Sequence, residues 1–128
     1  MNIILSVHWI LAASIWYVVM GLLHDIYVLK NHKGPYSRDL LRLLMDGHVL
    51  ILSGALLGVC YMMMLNKIQC GCIISLIVGI GMLVYCSLIF PFLKSYVTMF
   101  ISVMVVVVAI YLSSTFPDIW GIMAPYRK

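Results

Sequence analysis

Two histidine–aspartate groupings carry most of the chemical capacity of this sequence, His24-Asp25 and Asp46-Gly47-His48. Imidazole is the side chain whose ordinary titration falls near neutrality, and a neighbouring carboxylate fixes its tautomer and favours its charged form. His24, Asp25, Asp46 and His48 therefore make a candidate proton- or ion-handling cluster. Two neutral imidazoles would instead suit a metal or haem iron. That alternative makes the chain a redox or metal/haem-binding membrane protein with His24 and His48 as ligands. The plainest reading is a structural polar cluster in which Arg42 and Asp46, four apart, pair along one helix face. Gly47 lies beside this cluster, where the missing side chain would let a second helix or a ligand approach.

Little else in the chain suggests chemistry. The four cysteines, Cys60, Cys70, Cys72 and Cys86, form no C-x-x-C pair, so neither a zinc site nor a membrane disulfide-forming enzyme is indicated. The ten methionines include Met62-Met63-Met64, but consecutive side chains on a helix diverge and would not share a copper ion. No glutamate occurs, which removes the membrane-embedded glutamate on which small multidrug exporters rely. The membrane motifs of small fluoride channels are also missing. No catalytic motif is present and no cofactor is predicted. The expected function is a non-enzymatic membrane component: a homo-oligomeric channel or carrier, or an accessory subunit of a larger membrane complex.

The elements that must hold these residues follow from composition. Of 128 residues, 65% are hydrophobic and 9% charged. A soluble domain carries roughly 45–50% and about 25%. A water-soluble chain this short has too little interior to hide so much apolar surface. The fold class is therefore all-α: one polytopic domain over residues 1–128, a bundle of four transmembrane helices. Apolar runs place the helices at about 2–29, 38–65, 70–92 and 95–112. Gly34-Pro35 breaks the first from the second, with Ser37 as N-cap and Asp39 in the first turn. Phe116, Ile119, Trp120 and Met123 share one face of a short stretch, predicting an interfacial helix over 116–124. With a rise of about 1.5 Å per residue, His24 lies about 8 Å from the end of its helix and His48 about 15 Å from the start of the next. His24 and His48 are therefore expected to face each other. His8 is near the opposite end of the first helix and is read as interfacial.

Small residues four apart mark where helices approach closely. Gly54 and Gly58 form a GxxxG; Ser75 with Gly79, and Ala109 with Ser113, repeat the spacing. The expected use is packing within the bundle, with an oligomer contact as the alternative. Trp9, Tyr27, Tyr61, Tyr96 and Trp120 suit the aromatic belts of a bilayer. Orientation follows from the basic residues. Lys30, Lys33, Arg38, Arg42 and Lys94 make five on the side of the first loop, against three from Lys67, Arg127 and Lys128. That predicts a cytoplasmic first loop, about 30–37, and both termini outside. The expected partners are the lipid bilayer and a second copy or larger membrane complex. Nucleic acid is not among them, because the basic residues form no stripe outside the spans.

Overall fold

The computed structural model describes residues 3–66, 68–89 and 95–115, and the side chains of these from residue 5 onward. Four helices follow one another: α1 (Ile3–Asn31), α2 (Arg38–Leu65), α3 (Cys70–Ile89) and α4 (Tyr96–Thr115). All four are long and apolar enough to cross a membrane. About 20 residues suffice for a bilayer core of about 30 Å. At 29 and 28 residues, α1 and α2 exceed that and project beyond it. The expected start of α2 matches, because Ser37 caps it: its backbone is extended and its hydroxyl accepts from the Leu40 amide at 3.3 Å. Asp39 in the first turn complements the helix dipole. α1 runs two residues past its expected end, where the Asn31 side-chain amide donates to the Tyr27 carbonyl at 2.8 Å. α4 continues three residues beyond Leu112, with the Thr115 hydroxyl bonded to Tyr111 O at 2.7 Å. The expected interfacial stretch 116–124 and the link around Lys94 lie outside the described residues.

The helices pack in a ring, α1 on α2, α2 on α3, α3 on α4 and α4 back on α1. The largest interface joins α1 to α2 and the next joins α3 to α4, so the bundle is two antiparallel hairpins laid together. Missing side chains explain the first interface. A Cβ on Gly54 would stand 2.7 Å from Ser14 O and 2.9 Å from Val18 N, so α1 backbone occupies the place of a side chain. The Ser14 hydroxyl uses that closeness to donate to Gly54 O at 2.7 Å. Two turns along, a Cβ on Gly47 would overlap the Asp25 carboxylate and stand 2.9 Å from Gly21 O. Gly58 is looser, with only Ser14 Oγ nearby at 3.1 Å. Gly79 of α3 similarly admits Val105 and Val106 of α4, and Ser75 on the same face is fully buried.

The closing contact between α1 and α4 is polar instead. Ser102 donates to Thr98 O at 2.8 Å, so the 2.6 Å contact with Tyr17 is a bond from the tyrosine hydroxyl to Ser102 Oγ. Tyr17 is fully buried, and so are Ser6, Ser75 and Ser102. Outward positions hold Leu22, Ile26, Leu52, Ile77, Phe100 and Val107. Small and hydroxylic residues inside, with large aliphatic ones outside, suit a bundle whose solvent is lipid.

Candidate functional site

The polar residues singled out from the sequence all fall at one end of the ring, where α1 and α3 finish and α2 and α4 begin. They divide between two places. His48 stands on the outside of the α1–α2 interface, its side chain 65% exposed. Its Nδ1 lies 3.1 Å from Asp25 Oδ2 and 2.9 Å from Leu44 O. A carbonyl only accepts, so Nδ1 carries the proton and is shared between the two oxygens. The Asp25 side chain is only 13% exposed, and its Oδ1 is buried without a partner against Gly47. Gly47 thus admits the carboxylate between the helices.

His24 and Asp46 lie on the other, inner side. They line a cavity of about 120 Å³ that touches all four helices, together with Met20 of α1, Leu50 of α2, Tyr85, Cys86 and Ile89 of α3, and Thr98 of α4. The Tyr85 hydroxyl donates to Asp46 Oδ1 at 2.9 Å. The expected Arg42–Asp46 pair does not form; among the described residues the ion pair is His48 with Asp25. The Nε2 of His24 is buried and has no hydrogen-bond partner. By helical rise, His24 lies about 10 Å from the end of α1 and Asp46 about 12 Å from the start of α2. Both lie level with the last turns of α3 and the first turn of α4, whose Ile89 and Thr98 line the same cavity.

Tyr17 is one turn deeper than Met20, and Ser102 is bonded directly to Thr98 O, so the Tyr17–Ser102 bridge lies next beneath the lining residues Met20 and Thr98. Beyond the bridge, Ile10, Leu57, Cys60, Val108 and Leu112 are all fully buried. At the far end the His8 ring meets Tyr61 edge-on, 6.0 Å between centroids.

The sequence brought His24 and His48 forward as a facing pair, whereas the structure gives each different surroundings. Adjacent helix positions point about 100° apart. His24 and Asp25 therefore take opposite sides of the α1–α2 contact, and Asp46 and His48 do the same. Among the described residues no three His, Cys, Asp or Glu side chains gather as a metal site. Sequence reasoning did not single out Tyr17, Tyr85, Thr98 or Ser102. The available signal was a tyrosine in mid-span, Tyr17, away from either belt: a buried phenol needs a partner. All four cysteines are free; Cys70 is exposed and Cys60, Cys72 and Cys86 are buried.

Fold and site together define a small multi-pass membrane protein with a four-helix bundle and a polar-edged cavity at one end. No family model, curated protein or solved structure matches the chain.

Proposed function

We propose that the protein is a non-enzymatic membrane carrier that loads a small solute into the cavity edged by His24, Asp46 and Tyr85. The observation that carries this reading is the asymmetry of the bundle. One end of the bundle holds a cavity with two ionisable side chains on its wall, and the other half is packed shut beyond Tyr17 and Ser102. A cavity at one end with a packed region behind it resembles one of the two states that alternating access requires. The glycine stripe lends no support to an oligomeric channel, because Gly54 is covered by α1 of the same chain. Uptake into proteoliposomes tests the reading with three radiolabelled probes: choline, methanesulfonate and erythritol. Saturable uptake of at least one, lost on filling the cavity with Leu50→Trp, is expected. Uptake of all three at the rate of protein-free vesicles would remove the carrier reading.

In this proposal the loading side is the cytoplasm, on the five-to-three distribution of basic residues about the membrane. Cys70, exposed at the start of α3, then faces outside. A membrane-impermeant maleimide is expected to label it in intact cells, with a Cys70→Ser chain unlabelled. Labelling that appears only after permeabilisation reverses the orientation.

A further inference from the structure

The cavity has a shape and a charge, and together they select a class of ligand. Its lining is mostly apolar: Met20, Leu50, Cys86 and Ile89, with the Tyr85 ring. An engineered apolar cavity of about 150 Å³ holds benzene, so about 120 Å³ takes a small head group, and a ligand as long as choline protrudes from it. Among the described residues, no lysine or arginine lines the cavity. The one carboxylate, Asp46, receives a neutral hydroxyl on Oδ1, and among the described residues no cation pairs with it. A carboxylate set into an apolar wall with a hydrogen bond but no countercharge is left electrostatically unbalanced. A bound cation would supply that charge. Among the described residues Asp46 is the one carboxylate on the wall, and no three His, Cys, Asp or Glu side chains gather there to hold a metal ion. The wall suits instead a cation whose surface is carbon and which needs one anionic partner. The phenol face and the Met20 thioether add the soft, polarisable contacts that favour such ions.

We propose that the cavity binds a small organic ammonium ion, its positive nitrogen set against Asp46 and its alkyl groups against Met20, Leu50, Cys86 and Ile89. His24 stands at the same cavity with an unpartnered Nε2 and offers a hydrogen bond to a second polar group on the ligand. This proposal rests on the reading of the cavity as a loading site, and names what is loaded.

Binding is read from the thermal unfolding of the detergent-purified protein. The probes are choline and its uncharged carbon isostere, 3,3-dimethylbutan-1-ol. Choline is expected to raise the midpoint saturably and the alcohol to leave it unchanged. Asp46→Asn keeps an oxygen acceptor for Tyr85 and removes the charge. It is expected to weaken choline binding about tenfold or more, because the quaternary nitrogen has no N–H to donate and is held by the carboxylate's charge alone. Asp46→Glu should retain the choline shift. Equal shifts by both probes would mean the cavity recognises shape alone and would overturn the ammonium proposal. So would choline binding unaffected by Asp46→Asn, or no shift with choline. If Asp46→Asn fails to fold, the comparison of choline with its isostere on the unaltered chain still decides. A choline shift with none of the three probes taken up sinks the carrier reading and spares the ammonium site. Uptake of methanesulfonate or erythritol in place of choline does the reverse.

Discussion

Gly54→Ala is expected to destabilise the bundle by about 3 kcal/mol, the upper part of the range for overpacking a close-packed interior. The obstacle is backbone: the new methyl would stand 2.7 Å from Ser14 O and 2.9 Å from Val18 N. Neither atom moves unless α1 itself moves, and moving α1 breaks the Ser14–Gly54 hydrogen bond. Two other glycines calibrate the effect. Gly58→Ala meets only the Ser14 hydroxyl, at 3.1 Å, which turns aside at the cost of about one hydrogen bond, about 1 kcal/mol. Gly81→Ala meets nothing within 4 Å and is expected to be neutral or stabilising by a few tenths of a kcal/mol. Unfolding of the three purified variants, followed by circular dichroism, gives the order directly. If Gly54→Ala unfolds with Gly81→Ala, the α1–α2 contact is not where the glycine stripe acts.

The second large effect is conditional on a partner. Gly47→Ala puts a methyl group onto the Asp25 carboxylate, which must swing away and leave His48. A loss of about 2 kcal/mol is expected, from crowding together with the broken pair. Removing the obstacle should return part of it. In Gly47→Ala with Asp25→Ala the carboxylate overlap is gone, and only Gly21 O, 2.9 Å from the new methyl, still crowds it. The double variant is therefore expected to be more stable than Gly47→Ala alone. A coupling of about 1 kcal/mol is ordinary for residues in contact. Strict additivity of the two substitutions would mean that Asp25 does not lie over Gly47.

The fold was largely legible because a bilayer asks a simple question of a sequence. Long uncharged runs between charged breaks mark the spans, and Gly34-Pro35 and Ser37 set the start of α2 to the residue. The polar end of the bundle was legible only as a neighbourhood. Helical rise gives depth, and depth alone places His24, Asp25, Asp46 and His48 toward one end of their helices. Rotation about each helix axis decides which of them meet, and it depends on where α1 crosses α2. That crossing is set by Gly47 and Gly54 against Gly21 and Ser14, a match between two stretches that neither stretch reveals alone. Asp25 took His48 and left His24 facing the cavity. Tyr85 was invisible for a related reason. Its partner Asp46 is 39 residues away on another helix, and a tyrosine four residues from a helix end reads as an interfacial anchor.

The division of the ring into two hairpins has a consequence for how the chain is made. Every contact of Gly21, Gly47 and Gly54 named above lies before residue 66. The α1–α2 hairpin therefore has all of its own glue once Leu65 has reached the bilayer. At ordinary synthesis rates the ribosome needs a further interval on the order of seconds to deliver α3 and α4. During that interval Asp25 already has His48, and Ser14 already has Gly54. Asp46 and Tyr17 do not yet have Tyr85 and Ser102. The newborn first half is thus a closed pair of helices displaying one lone carboxylate and one lone phenol.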